Sequence, residues 1–280
     1  MLRPMPGALV TGAGGGLGLA IAKRLLGRGY DVTLADVNGD AVEREAGDLG
    51  ERAHPLRLDV ADLQACRAAA DEVAKRVGSL DVWVNNAGIL ITGVTYEQEL
   101  EAHRRMLEVN AIGTYNGTLT ALESMRPAGR GHIINVVSLA GLAAAPGIGG
   151  YAASKHAAIA FGLSTLADLR HAGYKDIHIS AVCPDGVWTP MIQDKLDDPH
   201  DALSFSGKML MPDEVAAKVE QLLDKPKPVL TIPAWRGRFV RFFDSHPALA
   251  VRLTPLLMRD ALRRQARFRK KVAKGEWPPS

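Results

Sequence analysis

Two cysteines and the absence of any long apolar run set the first limits on what this sequence encodes. Cys66 and Cys183 lie far apart, in segments whose patterns predict a helix and a strand. A disulfide framework and a cysteine-rich metal site are therefore not expected. No run of eighteen apolar residues is present to span a bilayer, and the opening MLRPMPG is too short and too polar for a secretory signal. These absences favour a cytoplasmic protein.

Histidine offers no sign of a metal centre. The eight histidines are scattered, without H-x-x-x-H or a carboxylate cluster of ligand spacing, so we expect no metal. With 280 residues, 47% of them hydrophobic and 23% charged, the chain has the composition of a soluble globular domain with a large core. Apolar strands alternate with helical stretches five times before Ser138 and again after it. This alternation predicts one α/β domain with a Rossmann-like, doubly wound parallel sheet.

A glycine-rich turn follows the first apolar strand. The stretch GALVTGAGGGLGLAIAKRLLGRGYDVTLAD predicts a strand, a turn, an amphipathic helix beginning near Leu17, and a second strand ending in Asp36. Glycines allow the backbone to turn tightly and to approach a pyrophosphate at the positive end of the helix. An acidic residue eighteen positions after Gly18 completes the pattern of a dinucleotide site. The expected cofactor-binding residues here are Gly12, Gly14, Gly15, Gly16, Leu17, Gly18 and Asp36.

Asp36 favours NAD over NADP. Its carboxylate can accept hydrogen bonds from both adenosine ribose hydroxyls, but it would repel a 2′-phosphate. Neither the glycine loop nor Val37 or Asn38 offers an arginine or lysine to hold an extra phosphate. A second interpretation, compatible with the first, is that Asp36 caps the helix expected over residues 40–49.

Ser138, Tyr151 and Lys155 supply the groups needed to oxidise an alcohol. Tyr151 and Lys155 lie four residues apart in a predicted helix starting near Gly150, and therefore share one of its faces. A nearby ammonium stabilises a phenolate and lowers the tyrosine pKa toward physiological pH, as a general base requires. Ser138 ends the apolar run HIINVVS, at the edge where open α/β sheets bind ligands. We expect it to hold the substrate oxygen.

These motifs, in this order, resemble those of the short-chain dehydrogenase/reductase family in its compact single-domain form, over about residues 5–232. The resemblance implies that Asn110 holds a water for proton relay and that Lys155 also binds the nicotinamide ribose. It further implies adenine contacts through Asp59 and Val60. By the same resemblance, further cofactor contacts come from the N-N-A-G and P-G-x-V-x-T motifs, namely from Asn86, Ala87 and Gly88 and from Val187 and Thr189. The catalytic set would be Asn110, Ser138, Tyr151 and Lys155.

Asp185 departs from this family pattern. It stands where the P-G-x-V-x-T motif has glycine, between Pro184 and Gly186. A carboxylate at this position could add charge beside the nicotinamide, or it could rely on the flexibility of Gly186. The sequence leaves both interpretations open.

The function implied is NAD-dependent interconversion of a secondary alcohol and a ketone. Residues 186–211, which the family uses as a lid, are rich in methionine and aromatic residues, and this suggests a lipophilic, steroid- or terpenoid-like substrate. A lid that merely covers the protein's own surface fits the same composition. Two other functions remain open: a catalytically silent NAD-binding regulator or scaffold, and an NADP-dependent carbonyl reductase. Apolar lid and wall residues are Trp188, Pro190, Met191, Ile192, Leu203, Phe205, Met209, Leu210 and Met211, facing Leu90, Ile91, Leu142 and Ala143 to Pro146.

The last 45 residues are strongly basic. We assign residues 1–235 to the catalytic domain and 236–280 to a C-terminal extension with 12 Lys or Arg and 3 Asp or Glu. The remaining chain has 22 basic and 28 acidic residues, so the net positive charge comes from the extension. Its amphipathic pattern fits helices that pack on this domain or a neighbouring subunit, or a peripheral contact with a membrane. Nucleic-acid binding is not expected, because no recognised module is present.

A homodimer or homotetramer is a further expectation from the family resemblance. The predicted helices around residues 98–124 and 150–172 resemble the segments through which members of this family associate.

Overall fold

The computed structural model describes residues 5–278, and its centre is a parallel sheet of seven strands. The strand order is 3-2-1-4-5-6-7, which reverses direction between the first and fourth strands. This is the Rossmann-like, doubly wound arrangement that the sequence predicted. The strands are β1 (Gly7–Thr11), β2 (Asp31–Asp36), β3 (Ala53–Arg57), β4 (Val82–Asn85), β5 (Arg130–Val136), β6 (Asp176–Pro184) and β7 (Val229–Ile232).

Helices cover both faces of the sheet and continue beyond it. Their side-chain caps include Asn38, which accepts a hydrogen bond from the amide of Ala41, and Asp62, which accepts from Gln64 and Ala65. The helices are α1 (Gly16–Gly27), α2 (Gly39–Leu49), α3 (Leu63–Val77), α4 (Leu100–Met106), α5 (Gly113–Ala128), α6 (Gly149–His171), α7 (Pro190–Gln193), α8 (Pro212–Asp224), α9 (Ala234–Asp244) and α10 (Pro247–Ala273).

The core lies on the two faces of the central strands. In β1, Ala8 and Val10 pack on one face and Leu9 on the other, and all three are fully buried. Parallel strands covered on both sides are expected to be continuously apolar, as GALVT is. The carboxyl ends of β1, β2, β4, β5 and β6 therefore meet along one edge, where the motif residues follow them.

The C-terminal extension packs on its own catalytic domain. The expected boundary at residue 235 falls in the first turn of α9. Ala261 and Gln265 of α10 are buried against the lid, and the Gln265 amide donates hydrogen bonds to the carbonyl oxygens of Lys195 and Asp198, at 3.2 and 2.8 Å. This packing matches the first of the interpretations of the basic segment. Among residues 5–278, no helix is both long and apolar enough to cross a membrane.

Candidate active site

One elongated cavity of about 880 Å³ runs along the carboxyl edge of the sheet. It brings most of the sequence-predicted site residues together, although they come from five strand ends and α6. Those lining it are Gly12, Gly14, Gly15, Gly16, Leu17, Asp36, Asn86, Ala87, Gly88, Ser138, Tyr151, Lys155, Val187 and Thr189. Gly18, Asp59, Val60 and Asn110 are not among the lining residues.

The glycine loop forms one end of this cavity. Gly12 has φ of +65°, and a Cβ there would lie 2.8 Å from the Cα of Ala87. At Gly18 a Cβ would collide with the carbonyl oxygen of Gly12, so this residue shapes the loop from beneath. A Cβ at Gly15 would have no heavy atom of residues 5–278 within 4 Å. In the described part of the chain, no side chain caps the first turn of α1 and no acidic residue occupies it, so its backbone amides remain available to an anion. This loop fits a pyrophosphate.

Asp36 lies next to the loop at the end of β2. Its carboxylate accepts hydrogen bonds from the amides of Gly14, at 3.1 Å, and Asn38, at 3.0 Å. It therefore holds the loop and faces the cavity, where ribose hydroxyls could reach it. The cap of α2 is Asn38, so the interpretation of Asp36 as the capping residue was wrong.

The N-N-A-G segment braces the glycine loop from the neighbouring strand. The Asn86 amide donates to the carbonyl oxygens of Thr11 and Gly12, at 3.0 and 3.1 Å. The Thr11 hydroxyl oxygen accepts from the backbone amides of Asn86 and Ala87, both at 3.0 Å. These bonds fix the loop without using its inward-facing amides.

Asp59 and Val60 lie beyond the cavity wall. Asp59 is exposed, and its carboxylate accepts a hydrogen bond from the amide of Ala61 at 3.0 Å. Val60 is buried against Gly113, where a Cβ would collide with the valine side chain. Their expected contact with adenine stays a prediction.

Ser138, Tyr151 and Lys155 all line the cavity. Ser138 lies two residues after the end of β5, and Tyr151 lies in the first turn of α6. Lys155 lies one turn later, with its Nζ 5.6 Å from the centroid of the tyrosine ring. Nζ also donates to the carbonyl oxygen of Val136 at 3.2 Å. The helical spacing of four residues thus produces the expected pairing.

Burial controls the ionisation of this pair. It raises the pKa of Tyr151 to about 12, although the hydrogen bond from Ser138 opposes the shift. It also lowers the pKa of Lys155 to about 8. The expected lowering of the Tyr151 pKa is therefore not found, because burial of the phenol raises it. Lys155 keeps most of its charge at neutral pH.

Asn110 supports the site from behind the wall. It lies in a π-helical segment, Leu107–Ile112, between α4 and α5, and is fully buried. Its amide accepts from the backbone amide of Ile89 at 2.8 Å and donates to the Ile89 carbonyl at 2.9 Å and to Ser154 at 3.0 Å. A Cβ at Gly88 would lie 3.0 Å from Asn110 Oδ1 and 3.3 Å from Lys155 Nζ. Gly88 thus leaves Asn110 and Lys155 close to each other.

The lid contributes fewer residues to the cavity than its composition suggested. Trp188 and Phe205 turn away from it and pack on Phe268 of α10, with ring centroids 5.4 and 5.6 Å apart. Leu142 is buried in a separate core cluster. The predicted residues that line the cavity are Pro190, Met191, Ile192 and Leu203, with Leu90 and Ala143 to Pro146 opposite.

Asp185 forms a buried ion pair with the start of the extension. Its carboxylate lies 3.1 Å from Nε of Arg236 in α9, and both side chains are largely buried. Burial raises the pKa of Asp185, and the guanidinium opposes this shift. The same arginine also donates to the hydroxyl of Ser206 in the lid. Neither of the two sequence interpretations of Asp185 foresaw this partner.

The extension also lines the cavity, which the sequence did not indicate. Its contributing residues follow the last family motif by 45 or more positions and have no recognisable spacing relative to the catalytic residues. The one available signal was the unexplained carboxylate at Asp185. The lining residues from α9 and α10 include Phe239, Val240, Phe243, Ala250, Val251, Thr254, Leu257 and Met258.

A second buried carboxyl, Asp201, lies within the lid. It is fully buried and accepts a hydrogen bond from the Ser204 hydroxyl at 2.6 Å, while its other oxygen has no partner among residues 5–278. Burial raises its pKa to about 7. Its negative charge would raise the pKa of Tyr151. No group of three or more histidine, cysteine or acidic residues in the described part of the chain could hold a metal ion.

Comparison with known proteins identifies relatives for this arrangement. The sequence model for the short chain dehydrogenase family matches residues 7–200. A 3-beta-hydroxysteroid dehydrogenase from Comamonas testosteroni is 36% identical over 220 residues, which are 76% of this chain and 86% of that protein. A cyclopentanol dehydrogenase from Comamonas sp. is 35% identical over 206 residues, covering 72% and 81%. A short chain dehydrogenase/reductase from Burkholderia phymatum, solved in complex with NAD, superposes with a TM-score of 0.80 at 27% identity, covering 88% of this chain and 95% of that one.

Proposed function

The chain belongs to the short-chain dehydrogenase family and is an oxidoreductase, and we propose that it interconverts a secondary alcohol and a ketone with NAD as its cofactor. One observation carries this proposal. Ser138, Tyr151 and Lys155 line the same cavity as the glycine loop that follows β1. The neighbour from Burkholderia phymatum, solved with NAD, supports the same assignment.

The proposed chemistry divides the work among three side chains. When bound, the nicotinamide would accept the hydride in oxidation and donate it in reduction. Ser138 donates a hydrogen bond to the substrate oxygen and holds it beside the Tyr151 hydroxyl. Tyr151 takes the proton of the alcohol in oxidation and returns one in reduction. The charge of Lys155 stabilises the phenolate that forms.

Asn110 is proposed to serve the proton relay rather than the reacting atoms. It lies close to Lys155 across Gly88 and fixes the backbone at Ile89. An amide held by three hydrogen bonds cannot reorient freely, so it can position a water next to the ammonium group. The proton taken by Tyr151 would leave through Lys155 along this route.

NAD is preferred in this proposal because Asp36 faces the cavity. Its carboxylate is already held by the amides of Gly14 and Asn38, so it cannot turn away from an incoming 2′-phosphate. Like charges at this distance disfavour NADP. An NADP-dependent carbonyl reductase is the competing function, and it would need a cation that neither the glycine loop nor Asn38 provides.

A lipophilic alcohol is the proposed substrate class. The end of the cavity beyond Tyr151 is lined mainly by apolar side chains from the lid and the extension. The relatives named for a hydroxysteroid and for cyclopentanol support this class.

The proposal is tested by following NADH fluorescence while the purified protein is offered NAD with steroid, terpenoid and simple secondary alcohols. Tyr151→Phe should lower kcat by about a thousandfold, the scale of general acid-base catalysis, with NADH binding unchanged. Tyr96→Phe is the matched control, because Tyr96 is exposed and does not line the cavity. An active Tyr151→Phe enzyme would refute the mechanism. NAD binding without turnover of any alcohol would favour the regulator or scaffold.

We also propose that a second copy of the chain binds α4, α5 and α6. Leu107, Ile112 and Leu119 are 41 to 44% exposed on this surface, and the rings of Tyr115 and Phe161 stack beside them at 4.0 Å. An exposed apolar surface of this kind is characteristic of an interface. Sedimentation at micromolar concentration should give a dimer or tetramer, and Ile112→Glu should weaken it. A monomeric wild type would contradict this proposal.

A peripheral contact with an anionic membrane is proposed for the outer face of the extension. Phe242 and Leu256 are 52% and 62% exposed there. They lie among the basic residues of a segment with 12 Lys or Arg and 3 acids. Aromatic and leucine side chains flanked by arginines suit the interface of acidic lipids. Vesicles containing phosphatidylglycerol should bind the protein at low salt, and purely zwitterionic vesicles should not; equal binding to both, or to neither, would contradict it.

A further inference from the structure

The substrate end of the cavity has a wall that the compact catalytic domain does not supply. Ala250, Thr254 and Met258 of α10 all line the cavity, and they are spaced four residues apart. Residues with this spacing share one face of a helix. Each of the three is only half-buried, so this face borders open space instead of filling it. The inner face of α10 is therefore available to a ligand.

This wall is formed by α9 and α10, and an ion pair attaches its beginning to the loops of the catalytic domain. Arg236 in the first turn of α9 pairs with Asp185, which directly follows β6, and donates to Ser206 in the lid. A buried pair of this kind specifies an arrangement, because either partner left alone would be an uncompensated buried charge. The departure of Asp185 from the family motif is thus explained by its pairing with Arg236, the first basic residue of the extension.

The wall is also attached at its far end. Gln265 donates to the lid carbonyls of Lys195 and Asp198, and Arg269 pairs with Asp197 at 2.9 Å. Phe268 packs between the rings of Trp188 and Phe205. The segment of α10 that lines the cavity lies between these two attachments. Its position is therefore determined by the same residues that form the lid.

We propose that the C-terminal extension is the specificity-determining wall of the substrate site, held in place by the Asp185–Arg236 pair. This inference rests on the proposed function and adds to it the part of the chain that selects the alcohol. Large lipophilic alcohols reach the inner face of α10, whereas a small cyclic alcohol is held by the lid and by Ser138 and Tyr151 alone. Asp185 and Arg236 are positioning residues, since they act through the wall.

The wall is tested with a substitution that fills the space next to it. Thr254→Trp should raise KM for dehydroepiandrosterone, a 3β-hydroxysteroid, by about tenfold or more, because an indole would occupy the volume of the steroid. The KM for cyclopentanol should change by less than about threefold. Leu256→Trp is the control on the opposite face of α10, as Leu256 is 62% exposed and does not line the cavity. It should leave both KM values unchanged.

The ion pair is tested by a double-mutant cycle. Asp185→Asn and Arg236→Gln should each raise KM for the steroid by about tenfold while kcat for cyclopentanol remains nearly unchanged. The double variant should show less than the sum of the two effects, because it leaves no unpaired charge. Arg238→Gln is the matched control, since Arg238 is exposed in the same helix. Additive effects, or an equal loss for both alcohols, would overturn the positioning role.

Equilibrium dialysis with labelled dehydroepiandrosterone separates failure of this inference from failure of the proposed function. If the wild type turns over no alcohol but binds the steroid, and Thr254→Trp alone weakens that binding, the wall stands and the reaction was misassigned. If the wild type is active and Thr254→Trp and Leu256→Trp alter steroid KM alike, the wall is refuted and the reaction stands. A wild type that does not bind the steroid would also refute the wall.

Discussion

The glycine-loop end of the cavity is built from backbone, whereas the extension end is built from side chains. Around Gly12 and Gly15 the wall consists of amides at the start of α1, held by Asn86 and Asp36. Around Thr254 and Met258 it consists of apolar side chains from a segment distant in sequence. Backbone donors suit a phosphate common to all dinucleotides, while side chains can vary with the substrate. The backbone-built end thus suits the binding of a common cofactor, and the side-chain-built end suits the selection of a particular substrate.

The largest expected effect comes from placing a side chain in the backbone-built end. Gly18→Ala would drive a Cβ into the carbonyl oxygen of Gly12, and we expect this to weaken NADH binding at least a hundredfold or to cost about 3 kcal/mol of stability. Gly27→Ala is the control in the same helix, because its Cβ would meet nothing within 4 Å. It should be neutral or slightly stabilising. NADH fluorescence titration measures cofactor affinity, and thermal unfolding measures stability. If the two variants gave the same values, the collision of a Cβ at position 18 with the Gly12 carbonyl oxygen would be contradicted.

A smaller effect is expected from Asp36, the side chain proposed to set the preference between NAD and NADP. Asp36→Ala removes the charge that opposes a 2′-phosphate and should shift the NAD to NADP preference by about thirtyfold toward NADP, equivalent to about 2 kcal/mol. Asp40→Ala is a suitable control, since Asp40 lies nearby in α2 and does not line the cavity. Ratios of kcat/KM for the two cofactors give the answer. An unchanged ratio would show that Asp36 only holds the loop.

The pH dependence of kcat/KM tests the proposed roles of Tyr151 and Lys155. Oxidation needs unprotonated Tyr151, whose pKa burial raises to about 12, so kcat/KM should rise by up to about tenfold per pH unit from pH 6. Lys155, whose pKa burial lowers to about 8, loses its charge above that pH and no longer favours the phenolate, so the rise should then flatten. Reduction needs protonated tyrosine and should change little below pH 8. A flat oxidation profile would contradict the assignment of the base.

The smallest expected effect concerns Asp201 within the lid. Burial raises its pKa from 3.8 to about 7, so its contribution to folding stability is fully present below pH 3.8 and is lost as pH rises through 7. The Asp201→Asn side chain cannot titrate. Between pH 5 and pH 8, the free energy of unfolding of this variant should therefore fall by about 1–2 kcal/mol less than that of the wild type. Urea unfolding at the two pH values measures this. The oxidation profile should also move to lower pH, because a charge that raises the Tyr151 pKa is gone.

Sequence-based expectations succeeded where a short segment contains its own geometry. The interval of four residues between Tyr151 and Lys155 fixes their common helix face, and the strand, turn and helix around Gly12 to Gly18 form as their pattern predicted. The parallel sheet followed from apolar runs alternating with helices. The assignment of Trp188 and Phe205 to the substrate wall was wrong, because their partner Phe268 lies more than sixty residues later. Composition cannot tell which side of a lid an aromatic ring faces.

By itself, the sequence determined the family, the sheet, the cradle and the residues proposed for the chemistry, since each depends on hydrogen bonds and spacings within a few turns of chain. Only the tertiary structure decided that the basic extension returns to line the cavity and that Asp185 pairs with Arg236. It also decided that burial raises the pKa of Tyr151. These features depend on packing and desolvation between segments far apart in sequence, and local pattern does not encode either one.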